Sequence, residues 1–163
     1  MPRLLIVHHS PTRSLRRLTE AAAAGAADDA IDGVDVVLRP ALEATAEDAL
    51  GADGYLLGTS ANFGYMSGAL KHFFDSTFLQ VGGALDPSGA AGSSSGATAK
   101  RPYGLYVHGR YDTTGAVRSV QSIVQALGWQ QAYDVLDVLG EVEQSHETAA
   151  YELGATLAAL LAG

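Results

Sequence analysis

The chain has 163 residues with 18 Asp and Glu against 10 Lys and Arg, which gives a formal net charge of −8, and it contains no Cys. The length fits one domain of ordinary size, and 47% apolar with 17% charged residues is typical of a globular protein. The acidic balance argues against nucleic acid as a partner, because binding it depends on neutralising phosphates with Lys and Arg. The absence of Cys excludes disulfides, thiolate nucleophiles and cysteine-ligated metal sites.

The N-terminal sequence does not predict a targeting segment. Its apolar run, residues 4–7, is too short for the core of a signal peptide. No stretch of the sequence approaches the roughly 20 apolar residues of a membrane span. We therefore expect a cytoplasmic protein that forms a single domain over residues 1–163 and does not insert into a membrane.

Short aliphatic runs alternate along the chain with longer segments of helical periodicity. Such alternation predicts an α/β fold in which helices cover both faces of a parallel sheet. Strands are predicted at residues 4–7, 34–38, 55–57, 103–107 and 132–139, and helices after Thr12, at 45–50, at 70–78, at 117–127 and in the segment that ends near Leu161.

Residues 82–99 differ in composition from the rest of the chain. They are almost entirely Gly, Ala, Ser and Thr, with one Asp-Pro pair, so nothing in them is expected to become buried. We therefore predict a long flexible loop. The loop is not predicted to be a domain boundary, because the element that follows it is the strand that the alternation of strands and helices requires next.

Ligands of such sheets bind beyond the carboxyl ends of the strands, where the strand order reverses. The first loop at this edge, residues 10–15, offers the hydroxyls of Ser10, Thr12 and Ser14 at the start of a helix. Residues 1–20 carry a net charge of +3, whereas the rest of the chain carries −11. A basic helix start with oriented donors suits one phosphate group, although the same residues could simply cap the helix.

The second loop, residues 59–68, places two aromatic residues beside an amide and a glycine, in the order Asn62-Phe63-Gly64-Tyr65. Exposed aromatic rings are costly unless something covers them, so this loop suits a planar heteroaromatic ring. In the alternative interpretation, Phe63 packs beneath the neighbouring helix. The third loop, residues 108–115, could contact the far edge of the same ring.

Three other types of site fit the sequence less well. A phosphate-accepting receiver domain needs carboxylates at the ends of its first and third strands, which are missing here. A serine hydrolase elbow needs Gly where Asn62 stands. His8 and His9 are neighbours on a strand and point to opposite faces, so they cannot bind one metal together, and we expect no metal site.

Residues 53–75 carry a resemblance to a known family. Phe63-Gly64-Tyr65-Met66-Ser67-Gly68, followed by Lys71, Phe73 and Asp75, is similar to the Phe-Gly-x-Met-Ser-Gly-x-x-Lys-x-Phe-x-Asp signature of the Trp-repressor-binding-protein-like NAD(P)H:quinone oxidoreductases and related NAD(P)H-dependent FMN reductases. Over essentially its whole length the chain resembles the flavodoxin-like superfamily. The resemblance implies a five-stranded sheet in the order 2-1-3-4-5 with FMN as cofactor and NADPH or NADH as reductant.

The resemblance also implies, by position, which residues hold FMN. The first loop would surround the phosphate, the second loop would hold the ribityl chain and the ring, and the third loop would line the ring's remaining edge. No side chain is expected to be catalytic, because the flavin itself carries the redox chemistry. The implied residues are Ser10, Thr12, Arg13, Ser14 and Leu15, then Ser60, Ala61, Asn62, Phe63, Gly64 and Tyr65, and finally His108, Gly109 and Tyr111.

Two positions depart from the family pattern. Arg13-Ser14 stands where flavodoxins have Gly-Asn, and Arg13 would either add a charge-assisted bond to the phosphate or turn outward. Ser60 stands where Pro is usual in the family.

The function that we expect is that of an NAD(P)H-dependent flavin or quinone reductase with small nicotinamide and quinone or flavin substrates. Because residues 82–99 are poor in apolar side chains, they are not expected to cover the flavin permanently. Two alternatives stay open: a flavodoxin-type electron shuttle, which the acidic charge favours, and a flavin-free regulatory protein on the same fold. The sequence is compatible with a homo-oligomer.

Overall fold

The computed structural model of the protein describes residues 1–92 and 96–163. In it, strands and helices alternate along the chain, as the sequence predicts. Within the described residues, no helix combines the length and the apolar character that crossing a bilayer requires. The elements in chain order are β1 (Arg3–His8), α1 (Arg13–Ala26), β2 (Asp35–Pro40), α2 (Ala46–Leu50), β3 (Gly54–Asn62), β4 (Tyr65–Met66), α3 (Gly68–Thr77), β5 (Pro102–Gly109), α4 (Thr114–Ala126), β6 (Gln130–Gln131), β7 (Leu136–Leu139) and α5 (Gln144–Ala162).

The sheet has the strand order β2-β1-β3-β5, and both β6 and β7 pair with the outer edge of β5. All of these pairs are parallel, so the predicted order 2-1-3-4-5 is confirmed. The prediction of one continuous fifth strand over residues 132–139 is wrong. Two short strands stand there, and a bond from Gln131 Nε2 to the carbonyl of Tyr133 (3.0 Å) bridges the start of the interruption between them.

The alternation of side chains along β1 divides the core into two halves. Leu5 and Val7 belong to the half that contains the aromatic residues of α3 and the aliphatic residues of α4. Leu4 and Ile6 belong to the half formed with α1 and α5. All four side chains are fully buried, which explains why the strand is a continuous aliphatic run rather than an alternating pattern.

Helices α1 and α5 approach each other closely enough for their backbones to touch. A Cβ atom at Gly25 would lie 1.9 Å from the carbonyl oxygen of Tyr151, and one at Gly154 would lie 1.9 Å from that of Ala22. Only glycine fits at either position without a backbone shift. The contact fixes α1 against α5, and with it the loop that precedes α1.

One residue of the segment 82–99 is packed into the core of the protein. Thr98 is fully buried, donates to the carbonyl of Val81 (2.5 Å) and accepts from Nε1 of Trp129 (2.8 Å). The expectation that nothing in this segment is buried is therefore wrong for Thr98, because an indole donor and a free carbonyl meet there. Residues 93–95 lie outside the described residues, and the flexibility of the loop stays a prediction.

The position of this segment matters for the site. It follows the end of α3 and precedes β5, so its attachment points lie at the amino ends of the strands. The three candidate loops lie at the opposite, carboxyl ends. The attachment points of the segment therefore give no reason to expect that it covers or uncovers a ligand bound in those loops.

Candidate functional site

A cavity of about 510 Å³ opens where β1, β3 and β5 end. This is the edge of the sheet at which the sequence predicts a ligand site. The volume of the cavity falls within the roughly 300–1,000 Å³ of typical small-molecule and cofactor sites. The lining comes from all three candidate loops. It consists of Thr12 and Ser14, then Ser60, Ala61, Asn62, Phe63 and Gly64, and finally His108, Gly109, Arg110, Tyr111 and Asp112.

The structure does not bring every predicted residue into this cavity. Ser10, Arg13, Leu15 and Tyr65 are absent from the lining, and two residues that the sequence analysis did not assign, Arg110 and Asp112, are present. Both belong to the third candidate loop, so position alone was a signal for them. Tyr65 instead lines a smaller groove on the other side of the hairpin, between α3 and α4.

Thr12 organises the first loop as the N-cap of α1. Its Oγ1 accepts from the backbone N–H of Leu15 (3.2 Å), whose side chain is fully buried between the sheet and α5. Arg13 is exposed to solvent. Thr12 and Ser14 line the cavity beside the first turn of α1, whose first N–H groups have no intrahelical partners. Helix capping and anion binding are thus compatible at this loop.

The second loop is a hairpin whose two central residues carry unusual backbone angles. Asn62 pairs with Tyr65 across the ends of β3 and β4, which leaves Phe63 and Gly64 as the turn. Their φ angles are +52° and +76°, the signs that a type I′ turn requires at both positions. The Phe63 side chain is fully exposed, so the alternative in which it packs under a helix is wrong.

The residues that follow this turn hold it in place. Thr59 Oγ1 accepts from the backbone N–H of Ser67 (2.9 Å), the Ser67 hydroxyl caps α3, and Met66 is buried in the core. A Cβ atom at Gly115 would lie 1.9 Å from the carbonyl oxygen of Gly64, so the start of α4 presses directly against the turn. Met66 and Ser67 of the signature thus have packing and capping roles here.

Ser60 carries a buried hydroxyl that has no hydrogen-bond partner within the described residues. Among the side chains that the structure describes, its Oγ alone is a buried nitrogen or oxygen atom without a hydrogen-bond partner. Ser60 also lines the cavity. Leaving a buried hydroxyl unpaired costs about 1–3 kcal/mol, so the site gains if a ligand presents a polar group to this oxygen. A ligand with hydroxyls along its length fits that requirement.

The third loop is built around a fixed histidine and an exposed aromatic ring. His108 Nε2 lies 2.7 Å from the carbonyl oxygen of Gly140, and because a carbonyl only accepts, Nε2 carries the hydrogen. Asp112 accepts from the backbone N–H of Thr114 (3.0 Å), which lowers the pKa of its carboxyl group. Tyr111 is 92% exposed, so two aromatic rings stand free at the cavity.

Comparison with known proteins gives a partial match in sequence. The chain is 36% identical over 95 residues to a flavodoxin of Aquifex aeolicus (strain VF5). The match covers 58% of this chain and spans only about half the length of that relative, 50%. No family model matches the chain.

Solved structures match the chain over nearly its whole length. A flavodoxin from the domain Archaea covers 98% of this chain and 98% of its own, with a TM-score of 0.76 and 15% identity. The WrbA-like flavodoxin of Agrobacterium tumefaciens gives a TM-score of 0.73 at 16% identity, over 99% of this chain and 98% of its own. The flavodoxin of Streptococcus pneumonia TIGR4 gives 0.72 at 20% identity, over 97% and 99%. The chain therefore has a flavodoxin-like fold.

Proposed function

We propose that the chain binds FMN in the cavity and acts as an electron-transfer protein. The observation that carries the proposal is the Ser60 hydroxyl, which is buried, lines the cavity and has no partner within the described residues. The ribityl chain of FMN is a polyol and would satisfy such a group. The partial sequence match to a flavodoxin supports the same cofactor.

Each part of FMN has a chemically suitable set of residues in the lining. The hydroxyls of Thr12 and Ser14 at the start of α1 would hold the phosphate. Ser60 and Asn62 would serve the ribityl chain, and the exposed ring of Phe63 would cover part of the isoalloxazine. When bound, FMN supplies the redox chemistry, so the side chains need only bind it and shape its surroundings.

A second candidate function is NAD(P)H-dependent reduction of quinones or free flavins. It is favoured by the Phe63–Asp75 signature and by the exposure of the Phe63 and Tyr111 rings, which leaves room for a second planar molecule. The segment 82–99 no longer argues for it, since its attachment points lie at the other end of the sheet. In both candidates the protein would work in the cytoplasm on soluble partners, and a homo-oligomer is compatible with either.

The FMN proposal is tested by titrating the purified chain with FMN, riboflavin and FAD and following the quenching of flavin fluorescence. We expect one FMN per chain and weaker binding of FAD, whose adenylate has no counterpart in the lining. Ser60→Ala should weaken FMN and riboflavin alike, by about twofold to tenfold for one hydrogen bond. Ser76→Ala, which removes a hydroxyl bonded to the Phe73 carbonyl on α3, is the matched control.

Absence of binding for all three flavins at micromolar concentration would refute the proposal and favour a regulatory role without flavin. The two redox roles are separated by mixing the FMN-loaded protein anaerobically with NADPH or NADH. A carrier should keep its visible flavin absorption and lose it only when a reductase protein is added. Direct bleaching by either nucleotide, followed by recovery with a small quinone, would establish the second candidate instead.

A further inference from the structure

Four side chains form a continuous hydrogen-bonded chain beside the first candidate loop. His8 Nδ1 lies 2.8 Å from Ser10 Oγ, which lies 2.7 Å from Thr19 Oγ1, which in turn lies 2.7 Å from the hydroxyl of Tyr106. We call these four residues the hydroxyl relay. It joins β1, α1 and β5, and the proposed function makes no use of it.

The hydrogens of the relay can be assigned by counting donors and acceptors. Tyr106 is fully buried, and within the described residues Thr19 is the partner of its hydroxyl. If Thr19 donated to Tyr106, the phenol hydrogen would have no acceptor, which costs about 1–3 kcal/mol. Burial raises the pKa of Tyr106, so the phenol keeps its hydrogen. Tyr106 therefore donates to Thr19.

If Thr19 accepted from Ser10 as well as from Tyr106, its own hydrogen would have no acceptor within the described residues, so Thr19 donates to Ser10. The hydrogen of Ser10 is then available to its other partner, His8 Nδ1. His8 suits this role because burial, with a smaller contribution from His9, lowers its pKa and favours the neutral ring. Its strand partners, Pro40 on β2 and Gly58 on β3, carry no charge.

We propose that Ser10 is a positioning residue of the first loop and that its hydrogen is given to His8, not to a bound anion. Ser10 is absent from the cavity lining, whereas Thr12 and Ser14 are present, which is an independent observation in the same direction. The relay holds the first residue of the loop against β1 and α1, and Thr19 links it on to β5. This proposal rests on the proposed function only where the anion is taken to be the phosphate of FMN.

The direction of the relay can be tested on the protein without any ligand. Nitrogen-15 NMR of labelled histidine distinguishes the two neutral tautomers of an imidazole ring. We expect His8 to carry its hydrogen on Nε2 at pH 7. A hydrogen on Nδ1 would mean that His8 donates to Ser10, and the assignment would be overturned.

The positioning role predicts an effect at a distance. Tyr106→Phe should weaken FMN by about threefold to tenfold, the value of one lost hydrogen bond, and leave riboflavin within about twofold. Tyr103→Phe on the same strand, whose hydroxyl lies 3.4 Å from Gln131, should change neither affinity. Thr19→Val should act like Tyr106→Phe, and Thr19→Ser should restore FMN affinity.

The outcomes separate this proposal from the proposed function. If Ser10→Ala weakens FMN while Tyr106→Phe and Thr19→Val do not, Ser10 is a direct ligand and the positioning role is refuted. If the wild-type protein binds neither flavin, the proposed function fails and the positioning role toward FMN fails with it. The direction of the relay is then still decided by the His8 spectrum.

Discussion

Replacing Phe63 by Asn should make the ligand-free protein more stable and weaken its binding of FMN. Phe63 has a φ angle of +52°, in the left-handed region that L-residues rarely occupy. Asn is several times more common there than other residues, and Asn-Gly is the preferred pair of a type I′ turn. The substitution would therefore create the sequence that the observed turn geometry favours.

The size of the expected gain in stability follows from the backbone strain at Phe63 and from the exposure of its ring. A left-handed conformation costs a residue with a Cβ about 1–2 kcal/mol, and Asn offsets part of that cost by local hydrogen bonding. The Phe63 ring is fully exposed, so its removal should sacrifice no packing in the ligand-free protein. We expect a gain of about 1 kcal/mol, which for a chain of this length raises the melting temperature by about 2–4 °C.

Thermal unfolding of the ligand-free protein and FMN titration are the two measurements. Losing an aromatic contact with the flavin should weaken FMN by about twofold to tenfold. Tyr111→Asn is the matched control, because Tyr111 is similarly exposed but its φ angle is not positive. It should weaken FMN without stabilising the chain. A less stable Phe63→Asn protein would refute the strain argument, and unchanged FMN affinity would refute the ring contact.

Three further predictions concern the scaffold. Gly154→Ala should destabilise the protein in urea by about 1–3 kcal/mol because its Cβ would meet the backbone of α1, whereas Gly68→Ala, with open space around it, should be neutral or mildly stabilising. Thr98→Val should cost about 1–3 kcal/mol by leaving the buried Trp129 N–H without its acceptor, and loss of that hydrogen bond should change the indole fluorescence. His8 has a pKa below 6.5 in the folded state, so the unfolded chain binds more protons and stability should fall as pH drops below about 6.5. His8→Asn, whose Oδ1 can accept from Ser10, should remove that part of the pH dependence in urea titrations.

Much of the fold was predictable because local patterns determine it. The run Leu4–Val7 is aliphatic at every position, and a strand covered on both faces needs that composition. The division of the last strand into β6 and β7 was not predictable, since it depends on which residues pair with β5. The burial of Thr98 was missed for a similar reason: its partner Trp129 is 31 residues away, and composition alone does not show the contact.

The edge of the sheet that holds the cavity was predictable from the topology, but the orientation of single residues was not. The exposure of Phe63 depends on its position in a two-residue turn, which follows only once Asn62 is known to pair with Tyr65. The role of Ser60 depends on a missing partner, and such an absence has no sequence signal. The sequence resemblance placed Ser60 near a ligand without giving a physical reason.

Helical periodicity could have shown which side chains of the first loop do not line the cavity. Leu15 begins the apolar stripe of α1, so its side chain must face the core and cannot also face the cavity. At about 100° per residue, Arg13 lies roughly 200° from Leu15 around the helix axis, which directs it toward solvent, as observed. Periodicity does not reach Ser10, which precedes the helix. Its partner Thr19 is held in turn by Tyr106, 96 positions beyond Ser10, so only the folded structure could separate Ser10 from the similar hydroxyl of Ser14.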